Sequence, residues 1–255
     1  MAEYGNVRRT SAGVRTAEID AGLRAHMNSV YGLMSVAMAI TALVAYFVGA
    51  DMSRAFNNQP TTLLSYGMIE TMLTSPVRYI IMFAPLGVVL LFSATVNRLS
   101  KAAAQGVFFL FAALMGLSIS WIFIIYTDMS IAQTFMITAI AFAGLSLWGY
   151  TTKKDISGWG SFLIMGVIGL IVASIVNIFL ESSALQFAVS AIGLLIFAGL
   201  TAYDTQKIKT TYLQMVNTPG GQEWLAKGAI MGALNLYLDF INMFMFLLQF
   251  LGNRE

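Results

Sequence analysis

Seven long apolar runs occupy most of this chain and limit the folds that it can adopt. They lie near residues 27–49, 77–97, 104–126, 131–150, 158–180, 185–206 and 226–251. Each run is close to the roughly 20 residues that an α-helix needs to cross a bilayer. Strands of a membrane barrel would be about 10 residues long and would alternate apolar and polar side chains. The run from Phe108 to Leu117 does not alternate, so the sequence predicts an all-α membrane protein with seven transmembrane helices.

The composition favours the same class of protein. Only 10% of the residues are charged and 58% are hydrophobic, whereas about a quarter of the residues in a soluble domain are charged. The 18 Phe, 10 Tyr and 4 Trp residues exclude a disordered chain. With no cysteine, disulfide scaffolds and cysteine zinc sites are excluded. The net charge of +2 gives no reason to expect nucleic acid as a partner, and membrane lipid is the expected surrounding.

We expect three segments along the chain. Residues 1–26 are polar and form a predicted cytoplasmic tail. This tail lacks the apolar core and cleavage site of a secretory signal, so the first apolar run is expected to remain as a membrane helix. Residues 27–251 form a predicted single transmembrane domain of seven helices, and residues 252–255 form a short C-terminal tail.

The Lys and Arg residues predict the orientation in the membrane. With the N-terminus in the cytoplasm, eleven of them fall on the inner side, and Arg54, Arg78 and Arg254 fall on the outer side. Cytoplasmic loops of membrane proteins carry an excess of Lys and Arg. We therefore expect a cytoplasmic N-terminus and, after seven spans, an external C-terminus.

Two acidic residues lie within the apolar runs, while the other ten lie in tails, loops or span ends. Asp239 lies near the middle of the last run, where an acid costs about 2.5 to 3.5 kcal/mol on insertion scales. Polar or small residues recur with it on one helical face, namely Gly228, Gly232, Asn235, Asn242 and Gln249. The last helix is therefore predicted to be central, with this stripe turned into the bundle. Asp204 lies near the cytoplasmic end of the sixth run, on one face with Thr201.

A structural interpretation competes with a functional one at each of these positions. Asp204 could be a helix-end carboxylate neutralised by Lys207 one turn further on, and Asp239 could be a buried polar contact. Arg98, at the inner end of the second run, is either an interfacial anchor or a basic partner of the aspartates, since its long side chain can reach back into the membrane. The lone His26 has no cluster of His or carboxylate residues beside it in sequence and is expected at the surface.

Together, Asp204 and Asp239 indicate a single site. Two neighbouring carboxylates in a poorly hydrated bundle cannot both ionise cheaply, so they tend to share a proton. Such a pair would respond to pH and, when ionised, would attract a hard cation that prefers oxygen ligands. Thr201, Asn235 and Asn242 are candidate supporting polar residues.

The segments around both aspartates resemble the Bax inhibitor family, also called the transmembrane Bax inhibitor motif family. These segments are Phe197-Ala-Gly-Leu-Thr-Ala-Tyr-Asp-Thr-Gln-Lys-Ile208 and Ala233-Leu-Asn-Leu-Tyr-Leu-Asp-Phe-Ile-Asn-Met-Phe244. The seven-span plan, the basic N-terminal tail and the short C-terminus also match, so the resemblance covers most of the chain. The simple architecture is similar to that of bacterial members in the cytoplasmic membrane.

The resemblance implies a central last helix and a pH-sensitive calcium leak through the bundle. It gives Asp204 and Asp239 the role of a pH-sensing pair, and Arg98, by position, that of a latch on this pair. Two carboxylates plus Asn235 or Asn242 fall short of the six to eight oxygens that calcium prefers, so we expect a weak transit site completed by water and no tightly bound cofactor. The connection at 207–225 is longer than in short family members.

Two other classes of function remain as alternatives. Family members are linked to cell-death suppression and stress responses, so the protein could instead regulate a partner such as a membrane protease. An intramembrane aspartyl protease would carry Gly-x-Gly-Asp at its second aspartate and Pro-Ala-Leu near its C-terminus. Asp239 follows Tyr-Leu, and none of the four prolines begins Pro-Ala-Leu. A P-loop, a GxSxG elbow, an HExxH motif and an EF-hand loop are likewise absent from the sequence, so we expect no enzyme.

Overall fold

The computed structural model describes residues 3–253, and the side chains of residues 17–96 and 98–253 within that range. The helices are α1 (Glu3–Phe56), α2 (Tyr66–Thr74), α3 (Val77–Thr95), α4 (Lys101–Ile119), α5 (Ile122–Ile125), α6 (Asp128–Thr151), α7 (Trp159–Leu180), α8 (Ser183–Met215) and α9 (Gly221–Leu251), with a 3-10 turn at Val96–Arg98. The described residues contain no β-strand.

Seven helical segments of the described chain are long and apolar enough to cross a membrane. They are the part of α1 from Ala17, then α3, α4 together with α5, α6, α7, α8 and α9. Large apolar side chains such as Phe162, Phe179 and Leu195 point outward and are more than two-thirds exposed, at 75%, 82% and 72%. Exposed apolar surface on this scale requires lipid around it. The prediction of an all-α protein with seven transmembrane helices is confirmed.

Two helices continue well beyond the predicted spans. α1 begins at Glu3, so most of the predicted polar tail belongs to the same helix as the first span. α8 continues to Met215 and α9 begins at Gly221, which leaves only residues 216–220 to connect them. The expected long connection at 207–225 is therefore wrong, because backbone hydrogen bonding continues where the apolar side chains end. Gly220 closes this turn with a positive φ of 73°.

A short helix, α2, lies in the segment between α1 and α3, which the sequence predicts to be a loop. The Ser65 hydroxyl caps α2 by accepting a hydrogen bond from the Met68 N–H at 3.3 Å. Ile69 is buried and attaches the helix to the rest of the protein. The carboxylate of Asp51, near the end of α1, holds the preceding segment through the backbone N–H groups of residues 62–64.

The last helix is the most enclosed of the seven spans. α9 packs against α1, α4, α6 and α8. Within its most apolar window 61% of the residues are buried, compared with 44% for the next span, α4 with α5. Large side chains such as Ile230, Leu234 and Tyr237 are fully buried there. Protein therefore surrounds most of this helix. Of the predicted polar stripe, Gly232 and Asp239 are buried, whereas Gly228, Asn235, Asn242 and Gln249 are half-buried.

Different hydrogen bonds hold the two ends of the bundle together. At one end, Lys209 Nζ donates to the Tyr150 carbonyl at 2.7 Å, and the Gln206 amide donates to the Lys154 carbonyl at 2.8 Å. At the opposite end, the start of α6 meets the chain after α9, where Asn253 N–H donates to Ser130 Oγ at 2.9 Å. Arg8, Arg9 and Arg15 lie where side chains are not described, and Arg254 lies outside the described residues.

Candidate functional site

The structure brings Asp204 and Asp239 together between α8 and α9, which form the most extensive helix pair in the bundle. The two carboxyl groups lie close enough for their charges to interact directly. Asp204 is half-buried, whereas Asp239 is only 3% exposed. Asp204 therefore lies nearer the solvent, and Asp239 lies deeper within the protein.

One oxygen of the deeper carboxyl group is left without a partner. Oδ2 of Asp239 is buried and accepts no hydrogen bond from any residue that the structure describes. An unpartnered buried carboxylate oxygen is costly, and nearly all such atoms in proteins are satisfied. A proton, a cation or a water molecule bound at this oxygen would remove that cost.

An opening of about 270 Å³ leads toward the pair from the lysine-rich end of the bundle. Asp204 and Asn235 both line it, and Asn235 lies one helical turn before Asp239 on α9. Gly228 and Gly232 also line it, and the missing side chain of Gly232 lets Ile208 of α8 pack closely on α9, since a Cβ atom there would lie 3.0 Å from Ile208 Cδ1. The opening therefore reaches Asp204 and Asn235, whereas Asp239 is not among its lining residues.

Basic side chains from three helices line the opening. They are His26 from α1, Lys207 from α8 and Lys227 from α9. Lys207 interacts electrostatically with Asp204, and Lys227 Nζ lies 3.6 Å from Glu223. His26 is half-buried, with its ring centroid 5.1 Å from that of Tyr212. This differs from the surface position expected from sequence, because the extensions of α1 and α8 enclose it.

An exposed loop at the same end adds a negative charge. The N–H of Ser157 donates to Asp155 Oδ1 at 2.9 Å, between α6 and α7. Hydrogen bonds from the backbone and side chain of Ser157 lower the pKa of the Asp155 carboxyl below its ordinary value. Asp155 is therefore a solvated acid and offers a contrast to the buried pair.

Two of the predicted supporting residues use their donors within their own helices. The Thr201 hydroxyl donates to the Phe197 carbonyl at 2.9 Å and also lies 3.4 Å from Met243 Sδ. The Asn242 amide donates to the Leu238 carbonyl at 2.8 Å. Both flank the pair along the α8–α9 contact without lining the opening.

Arg98 lies apart from the aspartates in this structure. It ends the 3-10 turn after α3 and its side chain is exposed, while its neighbour Val96 lines the opening. Among the described side chains, no ion pair joins Arg98 to Asp204 or Asp239. A latch would therefore require the arginine side chain or the 3-10 turn to move inward.

A hydroxyl network beside Asp204 was not predicted from sequence. Tyr31 Oη lies 2.5 Å from Ser146 Oγ, which lies 2.9 Å from Thr205 Oγ1. These three residues join α1, α6 and α8 directly next to Asp204. The only local signal for this network is that Thr205 follows Asp204 in the chain.

A second unpredicted contact fixes α9 two residues before Asp239. The Tyr237 hydroxyl lies 2.7 Å from Thr41 Oγ1, and Thr41 also donates to the Ala112 carbonyl at 2.8 Å. The Tyr237 ring is fully buried and meets Phe108 and Phe111 edge to face. This contact ties α1, α4 and α9 together and so sets the depth at which Asp239 lies.

The pair supplies too few ligands for a tight metal site. The described residues contain no group of three or more His, Cys, Asp or Glu side chains that could hold a metal ion. Asp204, Asp239 and Asn235 would supply only some of the six to eight oxygens that calcium prefers. Any cation bound here would keep several water molecules.

Comparison with known proteins defines the class to which this bundle and its aspartate pair belong. Residues 23–255 match the family described as Inhibitor of apoptosis-promoting Bax1, so the chain belongs to the Bax inhibitor family. The inner membrane protein YbhL of Escherichia coli is 44% identical over 236 residues, which cover 92% of this chain and 94% of YbhL. An uncharacterized protein of Rickettsia prowazekii is 42% identical over 255 residues, which cover both chains completely. An uncharacterized protein of Caulobacter vibrioides is 42% identical over 252 residues, or 98% of each chain.

Proposed function

We propose that this protein is a passive, pH-sensitive pathway for cations, with calcium as the expected ion. One observation carries the proposal. The buried Asp239 carboxyl lies beside Asp204, which lines an opening at one end of the bundle, and one oxygen of Asp239 has no partner among the described residues. Acidic residues within membrane spans are rare and commonly mark ion or proton pathways.

Proton exchange at this pair would regulate the pathway. When both carboxyl groups are ionised, they attract a cation and repel one another across a poorly hydrated contact. When a proton is shared, both the attraction and the repulsion decrease, so ion binding and the packing of α8 on α9 change together. Lys207, Lys227 and His26 surround the opening and would modify the response. Movement of Arg98 toward the pair would, like protonation, decrease both the repulsion between the two carboxylates and their attraction for a cation.

The same proposal includes the placement of the protein in a bacterial cytoplasmic membrane. The relative YbhL is named an inner membrane protein. The lysines of the α6–α7 loop, α8 and α9 lie at one end of the bundle, which supports a cytoplasmic position for that end and for the N-terminus. The burial of α9 supports a central position for this helix.

The test is calcium flux into liposomes that contain the purified full-length protein, measured over a series of pH values. We expect Asp204→Asn and Asp239→Asn each to remove the pH dependence of flux, because an amide does not exchange a proton in this range. Asp155→Asn is the matched control, since this exposed acid lies at the same end of the bundle, and it should keep the wild-type profile. An unchanged pH profile in both buried-site variants would contradict the proposal.

The wild-type protein provides the second decisive result. If its calcium flux does not exceed that of protein-free vesicles, the pathway is absent and the regulatory alternative takes its place. In that case, isolation of the protein from membranes should yield a stoichiometric partner, such as a membrane protease.

A further inference from the structure

The facing surfaces of α8 and α9 are polar at both ends and aromatic between them. On α9, the stripe that includes Asp239 and Asn242 resumes at Gln249. Phe246 occupies the intervening position on the same face, four residues after Asn242 and three before Gln249. The helical stripe is therefore interrupted at a single position, and by an aromatic ring.

α8 shows the matching pattern. Asp204 and Thr201 lie toward the lysine-rich end, and Ser190 and Gln186 lie on the same face toward the other end. Phe197 and Gly193 separate the two polar groups. The interruptions on the two helices meet, because the ring centroids of Phe197 and Phe246 lie 6.0 Å apart.

Phe246 lies directly on the backbone of α8. A Cβ atom added at Gly193 would lie 2.5 Å from both Cε2 and Cζ of the Phe246 ring. Gly193 is buried, so the ring fills the space that any other residue at this position would occupy. The two helices are thus sealed at this level by an aromatic ring against bare backbone.

A cluster of amides lies beyond this ring. The Gln186 amide donates to Gln249 Oε1 at 3.0 Å, and the Ser190 hydroxyl donates to the same oxygen. The Asn177 amide on α7 donates to Gln186 Oε1 at 3.2 Å. This amide cluster joins α7, α8 and α9 at the end of the bundle opposite the opening.

We propose that Phe246, packed on Gly193 beside Phe197, is the closed gate of the cation pathway and that the amide cluster around Gln249 forms its outer mouth. The inference rests on the proposed function, because it defines where the pathway from the aspartates leads. An apolar constriction excludes water and therefore ions, and it opens when its side chains move aside. Amide oxygens beyond the constriction are suitable ligands for a hard cation that leaves the aspartates.

The test replaces the ring and compares calcium flux in liposomes at the pH of lowest wild-type flux. Phe246→Ala should increase flux several-fold, and Phe246→Leu, which keeps more of the packing, should give a smaller increase. Phe244→Ala is the matched control, because Phe244 lies on the opposite face of α9 and packs against Phe135 of α6 with ring centroids 6.0 Å apart. It should leave flux at the wild-type rate. A measurable wild-type flux that neither Phe246 variant increases would overturn the gate.

A second measurement does not depend on calcium flux. The chain contains no cysteine, so Asn242→Cys introduces a single thiol on the inner side of the ring. A membrane-impermeant thiol reagent, added from the side of Gln249, should modify this thiol in the Phe246→Ala background and not with Phe246 present. Equal modification in both backgrounds would overturn the gate. Absence of wild-type flux together with gated modification would contradict calcium transport but leave the gate intact.

Discussion

Two buried aspartates in this protein differ in how their oxygens are satisfied. Asp51 is fully buried, and its carboxylate accepts hydrogen bonds from Arg54, from the N–H and hydroxyl of Thr62, and from the N–H groups of Leu63 and Leu64. Asp239, equally enclosed, has an oxygen with no partner among the described residues. The first carboxylate organises a connection, whereas the second can still bind a proton or an ion.

Replacing Asp51 with asparagine should destabilise the fold. Depending on its orientation, the amide would point its NH₂ group at either three donors or two, so bonds to a charged acceptor would be lost. We expect Asp51→Asn to lower the free energy of unfolding by about 3 kcal/mol. Glu70→Gln, at an exposed acid on the neighbouring α2, should change it little. Thermal unfolding in detergent micelles measures both, and equal stability of the two variants would contradict the anchoring role of Asp51.

Individual residues were predictable from sequence only where their signal is local. Asp239 stands out because an acid within an apolar run is costly whatever surrounds it. Thr41 gives no such signal, since its partner Tyr237 lies 196 positions away in the chain. His26 likewise gives no local signal, since α8 brings Tyr212 beside it from a distant part of the chain. The aspartates of the candidate site could therefore be chosen in advance, whereas the groups that position them could not.

At the scale of helices, glycine determines how closely α6 and α8 approach. A Cβ atom at Gly149 would lie 2.3 Å from the Ala202 carbonyl oxygen, which is fixed backbone. Gly149→Ala must therefore push α8 away from α6, beside the hydroxyl network and Asp204. We expect a loss of roughly 1 to 3 kcal/mol in stability, typical of an overpacked interior.

Another glycine on α6 provides the control. A Cβ atom at Gly144 would meet no atom within 4 Å, so Gly144→Ala should keep the stability of the wild type. Thermal unfolding of both variants in the same detergent measures the difference. A Gly149→Ala protein as stable as Gly144→Ala would show that the two helices are not in fixed contact.

The number of helices was predictable, but the ends of several helices were not. Seven apolar runs of sufficient length predict seven spans, because a helix crosses a bilayer when it is long enough and apolar enough. Hydropathy does not detect α1 and α8 where they continue outside the apolar region. There, buried residues such as Leu23 of α1 and Ile208 and Tyr212 of α8 add packing that supports the extra turns. The short α2 was missed for a similar reason, since Ile69 is its one buried residue.

Over the whole molecule, charged groups lie unevenly along the proposed pathway between α8 and α9. In the proposed pathway, a cation entering at the lysine-rich end would first pass Lys207 and Lys227, which would repel it, and would then meet Asp204 and Asp239, which would attract it. Under the proposed function, a repulsive entrance and a weak, partly hydrated site would suit a slow leak better than a fast channel. The neutral amides at the other end neither attract nor repel a cation at long range.

The orientation of the protein decides which side of the membrane the opening faces. Labelling of introduced cysteines tests whether the lysine-rich end faces the cytoplasm. Lys154 is exposed at the lysine-rich end and Asn57 is exposed in the segment after α1 at the opposite end. Because the chain has no cysteine of its own, Lys154→Cys and Asn57→Cys each provide one thiol. The excess of Lys and Arg at one end predicts that an impermeant reagent outside intact cells labels Asn57→Cys, and labels Lys154→Cys only after the membrane is permeabilised. The reverse pattern would place the opening to Asp204 outside the cell, so that external rather than cytoplasmic pH would act on the pair.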